Sequence, residues 1–120
     1  MDKLLGMTFL SVTQGDDSIT FKVNDDHYFK LEHQQDCCES VYIEDVAGDL
    51  QDLVGTPILL SEEAYEAGDN SSEYGDSSTW SFFKLATVKG HVTIRFFGSS
   101  NGYYGETASL YEFRSGARIW

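Results

Sequence analysis

Lys84 and Arg95 are the residues whose types and spacing first suggest chemistry. The run Thr87-Val88-Lys89-Gly90-His91-Val92 reads as the tip of a β-hairpin. Lys89-Gly90 fits its two-residue loop, because glycine supplies the positive φ that such loops need. In that register Val88 faces His91, Leu85 faces Ile94 and Phe83 faces Phe96, which makes an apolar core face. The other face pairs Lys84 with Arg95 and Phe82 with Phe97, with Trp80 further along. Like charges directly across a strand pair cost up to roughly 1 kcal/mol, so a negative group is expected between the two cations. It has two possible sources. One is an internal carboxylate from Asp36, Glu39, Glu44 or Asp45. The other is an anionic ligand, a phosphate or carboxylate held by Lys84 and Arg95 above a floor of Trp80, Phe82 and Phe97.

The loop Ser99-Ser100-Asn101-Gly102-Tyr103-Tyr104 begins just past Phe97. Its rings could stack on a base and its hydroxyls and amide could hydrogen-bond. The candidate ligand-binding set is therefore Trp80, Lys84, Arg95, Ser100, Asn101, Tyr103 and Tyr104. The plain alternative for the loop is an ordinary turn with two half-buried tyrosines.

Other constellations carry less. Cys37 and Cys38 are neighbours, and a bridge between strand neighbours would be strained, so reduced thiols are expected. Adjacent cysteines also make a poor zinc site, and His33 adds only one ligand. A catalytic thiol needs a base in reach, and none of His27, His33 or His91 can be placed beside one. The acidic pairs lack calcium-loop spacing and read as solvated faces, as do Glu106 and Glu112. No phosphate-binding glycine loop, serine elbow or His-Glu-x-x-His run is present. We expect no catalytic residues, no metal, no cofactor and no enzymatic activity.

The elements that must position these residues follow from a period of two broken by turn signals. Strands are expected over 7–13, 18–23 and 27–33 as a meander, then over 38–43, 58–66, both arms of the hairpin at 80–97, and 107–113. A short helix is expected at 48–55, with an acidic start and a glycine stop. The fold class is mainly β (α+β), an antiparallel sheet of about seven strands with one short helix. At 120 residues the chain reads as a single domain over 1–120. Residues 31–83 hold thirteen acids and no Lys or Arg, while the rest hold seven acids and eight bases. The net charge of −12 argues against direct binding of nucleic acid or anionic lipid. No signal peptide and no membrane span is read.

Two stretches carry a resemblance. One is Asp36-Cys37-Cys38-Glu39-Ser40-Val41-Tyr42-Ile43-Glu44-Asp45-Val46, followed by Gly48-Asp49-Leu50 and Gly55-Thr56-Pro57-Ile58-Leu59. The other is Thr79-Trp80-Ser81-Phe82-Phe83-Lys84, Ala86-Thr87-Val88-Lys89-Gly90, Val92-Thr93-Ile94-Arg95 and Ser100-Asn101-Gly102-Tyr103-Tyr104. Together they resemble a family of small, acidic, uncharacterised proteins found mostly in bacteriophage genomes. The chain departs from that pattern at Phe83, Phe96 and Gly105. The resemblance implies a phage protein acting in the host cytosol against host defence. Two routes are then open. One is a non-enzymatic binding protein that sequesters a small anionic ligand such as a cyclic nucleotide, with a homo-oligomer completing the pocket. The other is an acidic nucleic-acid mimic that blocks a host defence protein.

Overall fold

The computed structural model describes residues 2–35, 38–68, 77–100 and 105–120. Among these residues nine strands form two antiparallel sheets: β1 (Ser11–Gln14), β2 (Ser18–Asn24), β3 (His27–Glu32), β4 (Ser40–Ala47), β5 (Leu60–Ala67), β6 (Ser77–Thr87), β7 (Gly90–Ser100), β8 (Ser109–Arg114) and β9 (Ala117–Arg118). The first sheet runs β1-β2-β3-β8-β9 and the second β4-β7-β6-β5. The protein is thus mainly β, as the period-two pattern predicts, with the strands divided between two sheets instead of one. The expected helix is only a 3-10 turn, Leu50–Leu53, capped by the Asp49 carboxylate on the Gln51 amide. Four residues bounded by an Asp cap and Gly55 are too few to propagate an α-helix.

The first sheet is made from the two ends of the sequence. After β3 the chain leaves, builds the second sheet from β4 to β7, and returns as β8 beside β3, so that His27 faces Arg114 and Leu31 faces Leu110. Alternate residues of both sheets point inward and exclude water. Val12, Ile19, Phe21, Phe29, Leu31 and Leu110 come from one side, and Phe83, Leu85, Val92, Ile94 and Phe96 from the other. Burial of each such side chain contributes about 1.5–3 kcal/mol. Leu4, Phe9, Leu53 and Ile58 close one end from the connecting segments.

The hairpin β6–β7 differs in register from the sequence reading. Its loop is Val88-Lys89, and Thr87 faces Gly90. The cause lies outside the hairpin. Gly90 has no positive φ; a Cβ there would lie 2.7 Å from Asp52 Oδ2. The glycine gives room to the Asp52 side chain of the 3-10 turn and is not needed for a positive φ in the loop. The Thr87 hydroxyl donates to the Asp52 carbonyl and accepts from the Lys89 amide, which fixes the turn one residue earlier. Facing residues thereby change by two places, so the faces are kept and only the partners move.

Candidate functional site

On the outer face of the second sheet, β6 carries Trp80, Phe82 and Lys84, and β7 carries Arg95 and Phe97; Lys84 is exposed and the other four are partly buried. In the observed register Lys84 faces Thr93 on β7 and Glu62 on β5. Arg95 faces Phe82 on β6 and Asp45 on β4. The direct Lys84–Arg95 pair is therefore absent, and each cation has an acid on the neighbouring edge strand.

One internal carboxylate takes up the Arg95 charge. A bulge lies in β4 between Ile43 and Asp45, and it turns Glu44 onto the outer face. Glu44 Oε1 lies 2.8 Å from Arg95 Nε and accepts from Trp80 Nε1 at 3.3 Å. The Arg95 N–H is not aligned for a hydrogen bond, so the contact with Glu44 is a charge contact between half-exposed groups, worth about 1 kcal/mol or less. Trp80 leans on Phe97 at 5.1 Å between ring centroids, and Tyr42 on Phe97 at 5.9 Å. Lys84 forms no ion pair among the described residues.

Ser100 does not join this face. Ser100 shares the inward parity of Phe96 and is buried. Its hydroxyl donates to Glu106 Oε2 at 2.8 Å, and the same carboxylate accepts from Ser77 at 2.5 Å and Thr79 at 3.0 Å. Asn101, Tyr103 and Tyr104 lie outside the described residues. Trp80, Lys84 and Arg95 are thus brought together, with Glu44 among them, while Ser100 is on the opposite face.

Three polar features correct the sequence reading. Glu106 is a hydrogen-bond hub and not a surface acid. Glu112 is buried, with Lys3 Nζ at 2.9 Å and His27 Nε2 at 2.6 Å. The Lys3 contact, against some cost of burial and with help from His27, holds its carboxyl below the ordinary 4.5. Its inward position was readable, because Glu112 shares the parity of Leu110. Cys38 is in a disulfide instead of being a free thiol; the chain's other cysteine, Cys37, lies outside the described residues. Beside it, Glu39 is buried against His33 Nε2 at 3.1 Å, while His33 Nδ1 meets the Thr107 carbonyl at 3.0 Å. No group of metal-ligating side chains occurs among the described residues.

The acids gather at the sheet's edges. β4 presents Glu44 and Asp45, and β5 presents Glu62, Glu63 and Glu66, all exposed. Both outer-face cations stand on the central strands. The molecule is a two-sheet antiparallel β protein with an aromatic strip on one outer face and carboxylates along both margins. The chain belongs to a family described as a domain of unknown function (DUF7448), whose model matches residues 2–110. No curated protein and no solved structure matches it. No helix of the described residues is long and apolar enough to cross a membrane.

Proposed function

We propose that this is a non-enzymatic binding protein that presents carboxylates to the basic surface of a nucleic-acid-binding partner. In the setting implied by the phage resemblance, that partner is a host defence protein in the cytosol. The observation that carries the reading is the Glu44–Arg95 contact at 2.8 Å. Glu44 fills the position beside Arg95 from within, and the other margin carboxylates, Asp45, Glu62, Glu63 and Glu66, form no ion pair among the described residues. Rows of carboxylates along sheet edges offer a basic groove the charge it finds along a phosphate backbone.

The test is competition with a fluorescent DNA duplex for purified DNA-binding subunits of host defence complexes. Displacement is expected at low salt, weakening steeply as salt rises. It should be lost when Glu62, Glu63 and Glu66 are all changed to Lys. Displacement that the triple change leaves intact would remove the reading.

A specific observation also supports capture of a small anion such as a cyclic nucleotide. Tyr42, Trp80, Phe82 and Phe97 form a partly exposed aromatic floor beside Lys84. Arg95 would then exchange Glu44 for the ligand. A nucleotide at a hundred times its Kd adds roughly 2.7 kcal/mol of stability, visible as a thermal shift. Glu44→Gln should enlarge that shift by freeing Arg95, and Lys84→Ala with Arg95→Ala should abolish it. A screen of linear and cyclic nucleotides that leaves Tm unchanged in both wild type and Glu44→Gln eliminates this second reading.

A further inference from the structure

The two sheets have four edges, and three of them are blunt. β1 has four residues and β9 two. β4 is interrupted by its bulge, where Asp17 also reaches the Ile43 amide at 3.4 Å. β5 is different. Its eight residues pair with β6 in unbroken register from Leu60↔Ala86 to Ala67↔Thr79. Residues 62–67 are all exposed, on both faces of the strand. It contains no proline, no bulge and no lysine, the usual guards of an edge.

The register also fixes which peptide groups are free. Gly68 N–H donates to the Ser78 carbonyl, so even-numbered residues direct their backbone groups toward β6. Odd-numbered residues direct theirs away from it, by the alternation of an antiparallel ladder. Glu63, Tyr65 and Ala67 therefore turn their N–H and C=O groups outward, and among the described residues no strand pairs with them.

Charge selects what can add there. A second copy pairing antiparallel about Ala64 would set Glu62 against Glu66 twice, and like charges directly opposite are unfavourable. A basic strand would meet acids on both faces, Glu62 and Glu66 outside and Glu63 inside. The inner side has a seat as well. A cleft of about 330 Å³ opens between Glu63 and Tyr65 of β5 and Ala108, Ser109, Leu110 and Trp120. Tyr65 and Trp120 are 51% and 50% exposed, which is high for rings facing a core. Trp120 already holds one cation, with Lys3 Nζ 4.2 Å from its ring centroid. Two aromatic walls and a carboxylate suit a guanidinium group.

We propose that the free edge of β5 is a strand-addition site for an extended arginine-bearing segment of a partner protein, one arginine of which enters the Tyr65–Trp120 cleft beside Glu63. This deepens the acidic-surface reading and rests on it. Backbone pairing supplies the docking geometry and the acids choose the sequence, as in other strand-addition complexes.

The probe is a capped heptapeptide of alternating arginine and threonine, compared with the same peptide N-methylated at alternate amides. N-methylation keeps the charge and removes the strand's donors. Binding is followed by NMR on the isotopically labelled full chain. The Glu63, Tyr65 and Ala67 amides are expected to gain hydrogen-exchange protection, and N-methylation to weaken binding by roughly tenfold. Ala67→Pro should weaken the parent peptide similarly while leaving the fold intact, because the N–H it removes faces outward. Equal binding of both peptides, with shifts scattered over all the acids, overturns strand addition and leaves the acidic-surface reading standing. No binding of either peptide overturns both. A wild-type dimer that Ala67→Pro dissolves overturns the proposal in favour of self-pairing.

Discussion

At the scale of single residues, Glu112 makes the sharpest stability prediction. Its carboxyl is held below 4.5 in the folded protein, chiefly by Lys3. A lowered folded value stabilises the fold above the unfolded value and loses that contribution as pH falls through the folded one. The urea midpoint should therefore drop below about pH 4.5. Glu112→Gln should cost about 1–3 kcal/mol at neutral pH and flatten that part of the acid limb. An acid limb of unchanged shape in the variant would assign the drop to other carboxylates. Tyr65 makes a second prediction, in alkali. Burial first, then the hydrogen bond to Glu63 and its charge, push the phenol up to about 12. Here the sign is reversed, because the unfolded phenol ionises near 10 and draws the chain toward unfolding above that pH. An absorbance titration should show one of the seven tyrosines ionising after the rest, and Glu63→Gln should bring it down. A single transition for all of them near pH 10 would count against the Tyr65–Glu63 bond.

At the scale of elements, the close approach over Gly98 predicts an asymmetry between two glycines. A Cβ on Gly98 would lie 2.0 Å from the Glu106 carbonyl oxygen, a backbone atom that cannot step aside alone. A Cβ on Gly90 would meet the movable Asp52 carboxylate. Gly98→Ala should therefore cost more than Gly90→Ala, by about 2 kcal/mol or more, read from chemical denaturation. Similar losses would show that the 105–108 segment yields easily.

The same hairpin shows what the sequence can and cannot carry. The alternation from Ser81 to Thr87 and from Val92 to Ser100 made the inner and outer faces legible, because side-chain direction depends only on parity. The partners across the strands were not legible, because the loop is set by Asp52 and Thr87. These are 35 residues apart in sequence. Parity likewise made the inward place of Glu112 readable, whereas its partner Lys3 lies 109 residues away. The capture of Arg95 by Glu44 was visible as one of four candidate acids. What selected it was a bulge, and no composition rule signals a bulge in Val41-Tyr42-Ile43-Glu44-Asp45.

At the scale of the whole molecule, the charge partition in the sequence becomes a partition in space. The acid-rich middle of the chain supplies β4 and β5, the two margins of the second sheet, while Lys22, Lys30, Arg114 and Arg118 belong to the first. The field should be lopsided, and a basic partner should approach the second sheet's margins first. Association with such a partner should slow as salt rises by more than dissociation quickens, which stopped-flow mixing can separate. Equal sensitivity of the two rates would assign the acids to holding the complex and not to guiding it.

The return of β8 to the side of β3 has a consequence for how the protein is made. His27 must wait for Arg114, so during synthesis the second sheet is finished while its inner wall of Phe83, Leu85, Ile94 and Phe96 still has no cover on the β8 side. Pairings so distant in sequence close slowly, and an uncovered apolar wall invites aggregation in the interval. The carboxylates along β4 and β5 are already in place by then. Mutual repulsion between nascent chains would keep this half-built sandwich dispersed.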